Sequence, residues 1–93
     1  MENLVSKSLR FYGRVQGVGF RYFFSNLARQ YKITGWVKNE PDGTVSAEIT
    51  GVPENVEFLI EKAKEGPDFG CVRKVDIIDL PNIMKFEKFT IRY

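Results

Sequence analysis

Histidine is absent from this 93-residue chain and cysteine occurs once. Without an imidazole there is no histidine general base, no phosphohistidine and no histidine metal ligand. The single cysteine, Cys71, excludes an intramolecular disulfide, and no Cys/His cluster has the spacing of a zinc site. It also fits no cysteine phosphatase, because the position six residues further on is Ile77 rather than arginine. Nor is there a carboxylate cluster for a metal-dependent phosphatase: Asp76 and Asp79 lie three apart on a strand, hence on opposite faces. No apolar run approaches the ~20 residues that cross a bilayer, so no membrane partner is expected. The opening Met1-Glu2-Asn3-Leu4-Val5 lacks a basic segment and a long apolar stretch, so no signal peptide is expected and a cytoplasmic location is the default. The length fits one domain, 1–93, with no room for a second core.

What the chain does have is aromatic bulk. A protein this short buries only about 60–65% of its unfolded surface, so its core must be efficient. Eight Phe, four Tyr and one Trp supply it. The charge is uneven as well. Residues 1–38 carry Lys7, Arg10, Arg14, Arg21, Arg29, Lys32 and Lys38 against Glu2, which is 7 − 1 = +6. Residues 39–93 carry the other 7 bases and 11 acids, or −4. The N-terminal part is suited to an anion, although charge counting by itself is satisfied by a solvated basic surface.

Hydrophobic periodicity gives the order of elements. Ser8 to Val15 reads as a strand with Leu9, Phe11 and Val15 on one face. Phe20, Phe24, Leu27, Ala28 and Tyr31 then form a helical stripe. Thr34–Lys38 and Thr44–Thr50 read as strands, joined through Asn39-Glu40-Pro41-Asp42-Gly43 into a hairpin. Pro53 opens a second helix with the stripe Val56, Leu59, Ile60 and Ala63, stopped by Gly66-Pro67, and its capping residue, Gly51 or Val52, is a poor one. Glu54, Glu57, Glu61 and Glu65 make the solvated face of this helix. Val72–Leu80 and Phe89–Tyr93 complete the series. The fold class is α+β, β-α-β-β-α-β with an additional C-terminal strand and both helices on one face of an antiparallel sheet.

Chemistry concentrates in Gly13-Arg14-Val15-Gln16-Gly17-Val18-Gly19-Phe20-Arg21. A strand, a glycine-rich loop and a helix in succession point backbone N–H groups into a concave nest, with the positive helix end behind them. The loop is neither a Walker A sequence nor a dinucleotide fingerprint. Arg21 falls in the first helical turn, where a cation opposes the macrodipole at a cost of a few tenths of a kcal/mol or more. A bound anion removes that conflict and gives the guanidinium a bidentate partner. Asn39 ends the strand before the hairpin turn, where Asn commonly caps the backbone. Beside an anion cradle, its carboxamide can also hold a water and donate to the ligand.

These residues resemble one family. The run Gly13 to Arg21, then Gly35-Trp36-Val37-x-Asn39 and Asp42-Gly43-x-Val45, is similar to acylphosphatase over essentially the whole chain. The resemblance implies a ferredoxin-like sandwich that hydrolyses acyl phosphates to carboxylate and inorganic phosphate, without metal, cofactor or covalent intermediate. It places the catalytic, phosphate-binding arginine at Arg21 and the water-orienting asparagine at Asn39. The phosphate loop falls on Val15, Gln16, Gly17, Val18, Gly19 and Phe20, acting through backbone N–H groups. The expected partners are a small acyl phosphate and inorganic phosphate, not nucleic acid, and the expected state is a monomer. The chain departs from the family pattern at Lys32, where glycine is common, and at Val52, where a small polar cap is common. The alternative is a non-catalytic anion-binding or RNA-binding module of the same element order. Against RNA, Phe20, Phe23 and Phe24 keep a helical period and do not line the open face of a strand.

Overall fold

The computed structural model describes residues 3–93; Met1 and Glu2, part of the opening segment read for a leader, lie outside the described residues. The seven elements are β1 (Val5–Arg14), α1 (Phe20–Gln30), β2 (Thr34–Asn39), β3 (Val45–Gly51), α2 (Pro53–Glu65), β4 (Cys71–Asp79) and β5 (Phe89–Arg92). β1 begins three residues before the alternation becomes legible, because Val5, Ser6 and Lys7 pair with Gly51, Thr50 and Ile49 of β3. The strands form one sheet in the order β4-β1-β3-β2-β5.

Four strands are antiparallel neighbours, as expected, but β5 runs parallel to β2, with Val37 opposite Ile91. The sheet is therefore mixed. The cause is the path from β4 to β5, which joins opposite edges. Leu80 N–H donates to the Ser6 carbonyl at 3.0 Å. Met84 N–H donates to Ser6 Oγ at 2.8 Å, and Thr50 Oγ1 donates to the Met84 carbonyl at 2.7 Å. This crossing reverses the chain, so the last strand arrives in the direction of β2. It also buries Ser6 and Thr50, whose hydroxyls satisfy one another and the crossing backbone at a sheet end where apolar residues would be expected.

Both helices lie on the same side of the sheet. Leu9, Phe11, Val37, Val45, Ala47, Ile49 and Phe89 meet Phe20, Phe24 and Ala28 from α1 and Val56, Leu59, Ile60 and Ala63 from α2. Both stripes thus serve as core, with Leu27 and Tyr31 packed at its rim. Aromatic rings join the layers: Phe11 lies 5.0 Å from Phe20 and 5.5 Å from Phe24, and Phe24 lies 5.7 Å from Phe89. Each fully buried Phe contributes about 1.5–3 kcal/mol in transfer free energy. That packing fixes the first turn of α1 against β1 and β5, and so fixes the mouth of the loop that precedes it.

Candidate active site

β1 ends at Arg14, and the chain turns through Val15–Gly19 into α1. Gly17 (φ 73°) and Gly19 (φ 77°) take left-handed conformations that a side chain would strain. Gly19 is also the N-cap residue of α1, and no side chain caps the helix. The helix's first internal bond is from Phe23 N–H to the Gly19 carbonyl, at 2.9 Å. The N–H groups before Phe23 therefore have no acceptor within the helix. Gly13 belongs elsewhere. It lies in β1 at an irregularity in the pairing with β4, where a Cβ would come within 2.2 Å of the Cys71 carbonyl oxygen. Its role is close strand approach, which leaves Gly17 and Gly19 of the run Gly13 to Arg21 to shape the loop.

Beside the loop is a cavity of about 170 Å³, lined by Val15, Gly17, Gly19, Phe20, Arg21, Tyr22, Asn39, Ile91 and Tyr93. Six of the eight residues singled out from the sequence meet here. The other two, Gln16 and Val18, sit in the loop without lining the cavity: Val18 packs against the core, and the Gln16 side chain reaches the hairpin. A larger cavity of about 500 Å³ lies at the opposite end of the sheet, between Lys32, Thr50, Asn55 and Lys85, far from this constellation.

Arg21 is the second residue of α1 and half-buried, with no acidic residue in the first turn. Among the described residues it forms no ion pair. Its Nη1 donates to the Arg92 carbonyl at 3.1 Å, and its guanidinium carbon lies 4.6 Å from the centroid of the Tyr93 ring. The cation is therefore held in place by uncharged groups, and its charge is left without a counterion. Asn39 closes β2 opposite Val45, and its Oδ1 is buried without a hydrogen-bond partner. A buried carbonyl oxygen without a donor costs about 1–3 kcal/mol, and a water or ligand supplied by the cavity removes that cost.

The hairpin that carries Asn39 is tightly bound. Asp42 Oδ1 accepts from Thr44 N–H at 3.0 Å and from Thr44 Oγ1 at 2.6 Å. These hydrogen bonds, the hydroxyl's first, hold the Asp42 carboxyl below its ordinary value of 3.8. On the open face of the sheet, Tyr12 Oη donates to Asp76 Oδ2 at 2.8 Å, which raises the phenol above its ordinary value of 10.0. The aromatic run Phe20–Phe24 lies on α1, with Phe20 and Phe24 in the core, and presents no strand-borne stacking platform.

Ile91, Tyr93 and the Arg92 carbonyl were missed in the sequence. Their place depends on β5 pairing with β2, where Lys38 opposite Arg92 brings the chain end level with Asn39. The alternation Phe89–Tyr93 signals a strand but says nothing about its neighbour.

Known proteins resemble this chain over most of its length. The acylphosphatase family model matches residues 7–91. An acylphosphatase of Thermococcus kodakarensis is 53% identical over 73 residues, which is 78% of this chain and 80% of that protein. One from Salinibacter ruber is 46% identical over 85 residues, 91% of this chain and 90% of the other. The crystal structure of acylphosphatase from Bacillus subtilis superposes with a TM-score of 0.93 at 34% identity, covering 96% of this chain and 99% of that one. The chain belongs to the acylphosphatase family, hydrolases that cleave the carboxyl–phosphate anhydride of acyl phosphates.

Proposed function

We propose that residues 1–93 act as a single acylphosphatase domain in which Arg21 and the backbone N–H groups of Val15–Phe20 bind the phosphoryl oxygens while Asn39 positions the attacking water. The observation that carries this reading is the sharing of one cavity by Arg21, whose charge has no counterion there, and Asn39, whose Oδ1 lacks a partner. An acyl phosphate has a good leaving group, because a carboxylic acid's pKa is about 4. Protonation of the leaving group is therefore unnecessary, and positioning with charge stabilisation remains. The water oxygen attacks phosphorus in line as the bond from phosphorus to the acyl oxygen breaks. The carboxylate leaves with the electron pair, and a phosphoryl oxygen takes the water's proton. Among the described residues, no histidine, thiol or carboxylate side chain lines the cavity, so none of these serves as base or metal ligand there.

The substrate is a small acyl phosphate and the product inorganic phosphate. The chain works as a cytoplasmic monomer; among the described residues, no helix is long and apolar enough to cross a membrane. The test is phosphate release from a small acyl phosphate compared with a phosphate monoester. Rapid cleavage of the anhydride alone is expected. Equal cleavage of the monoester, or phosphate binding without turnover, contradicts the reading.

A further inference from the structure

Gln16 lies inside the glycine loop, yet its side chain is not part of the cavity wall. Its Nε2 donates to the Glu40 carbonyl at 2.7 Å and to the Thr44 carbonyl at 2.8 Å. Both acceptors are carbonyl oxygens, so the amide orientation is fixed by chemistry, and both hydrogens of the NH₂ group are used. The two carbonyls have a particular place in the hairpin. Glu40 follows Asn39 directly, and Thr44 precedes Val45, the cross-strand partner of Asn39. The amide therefore grips the backbone on both sides of the pair that holds Asn39.

The hairpin is already closed without this contact. Glu40 N–H donates to the Thr44 carbonyl at 2.8 Å and Gly43 N–H to the Glu40 carbonyl at 3.1 Å, while Ser46 Oγ donates to Glu40 Oε2. What the Gln16 amide adds is a connection between two parts of the site that lie 24 and 28 residues apart in sequence. One part is the loop and first turn of α1, with the anion nest and Arg21. The other is the end of β2, with Asn39.

We propose that Gln16 is a positioning residue, whose carboxamide sets the distance between the phosphate nest and the water held by Asn39. This rests on the reading of Asn39 given above. A clamp of this kind acts on kcat rather than on anion affinity, because the main anion contacts of the proposed function, the loop N–H groups and Arg21, lie on the loop and helix side. Relative displacement of reacting groups by about 1 Å can cost on the order of 10²-fold in rate.

The test is a double-mutant cycle in the full chain, using Gln16→Met, which keeps the length of the side chain and removes both donors. Hydrolysis of a small acyl phosphate gives kcat, and competitive inhibition by inorganic phosphate gives Ki. Gln16→Met should lower kcat by roughly tenfold to a hundredfold, with Ki changed by less than about twofold, the spread expected when no contact is lost. In the Asn39→Ala background the same substitution should change kcat by less than about twofold. An undiminished loss in that background, no loss in the first place, or a Ki that weakens in step with kcat overturns the proposal. If Asn39→Ala alone leaves kcat unchanged, the reading of Asn39 fails instead, which is a separate result.

Gln16→Glu supplies a second readout independent of folding yield. An ionised carboxylate cannot donate to either carbonyl, whereas a protonated one donates to one of them. Its activity relative to the parent should rise as pH falls toward the carboxyl range near about 4.3. A constant ratio across that range contradicts the clamp.

Discussion

At the scale of the residue, Arg21 is fixed before any ligand arrives. The Arg92 carbonyl and the Tyr93 ring hold the guanidinium, and the charge still opposes the dipole of α1. Such a group gains little in the free protein and much when negative charge develops beside it. Arg21→Lys replaces a planar fork with a point charge that cannot bridge two oxygens. Its kcat/KM for a small acyl phosphate should drop by about 2.7–4 kcal/mol of transition-state stabilisation. Steady-state kinetics with circular dichroism as the check on folding measures this. Near-parental turnover would remove Arg21 from the machinery.

At the scale of the element, the end of α1 and the β2–β3 turn each carry a local test. After the C-cap Tyr31, Lys32 N–H bonds to the Arg29 carbonyl at 3.2 Å and Ile33 N–H to the Ala28 carbonyl at 2.8 Å, the two bonds of a Schellman ending. That ending places Lys32 at φ 57°, left-handed and without glycine's freedom. Lys32→Gly should therefore stabilise the fold by about 0.5–1 kcal/mol, after the entropy glycine adds to the unfolded chain. Urea unfolding with an unchanged m-value measures this, and a destabilised variant would contradict the account.

In the turn, the lowered Asp42 carboxyl works in one direction. The unfolded chain takes up that proton before the folded one does. The group's stabilisation is thus complete above its ordinary value of 3.8 and is lost as pH falls through the lower folded value. Asp42→Ala should melt at a lower temperature than the parent near neutrality, and the gap should close in strong acid. A gap independent of pH would mean that the carboxylate's charge is irrelevant.

The helices were legible in the sequence because their stripes, from Phe20 to Ala28 and from Val56 to Ala63, face the core. The hairpin was legible because its turn chemistry is local. The start of β1 was not, since Ser6 and Lys7 break the alternation and are held by distant β3 and the crossing segment. Arg21 and Asn39 could be picked out one at a time from their local positions. The C-terminal wall could not, because it depends on which edge β5 joins. From sequence Gln16 offers a backbone donor alone, since nothing near it in the chain reveals where its side chain ends.

At the scale of the molecule, two structural halves meet at the site. The loop and α1 bring positive charge and free N–H groups, while the hairpin and β5 bring an amide and an aromatic wall. Among the described residues, no histidine, thiol or carboxylate side chain lines the cavity. Turnover should accordingly survive exhaustive chelation and vary little between roughly pH 5.5 and 8, where histidine would titrate. A steep bell-shaped profile across that range, or recovery of activity only on adding a divalent cation, would require a base or metal absent from this account.

In the proposed function, negative phosphoryl oxygens neutralise a cation seated at the positive end of its own helix. Crystals soaked in inorganic phosphate test it most directly. A phosphate is expected in the cavity between Gly17, Gly19 and Asn39, accepting from successive loop N–H groups and from both terminal nitrogens of Arg21. A vacant cavity at saturating phosphate, with the Arg21 side chain directed into bulk water, would contradict it.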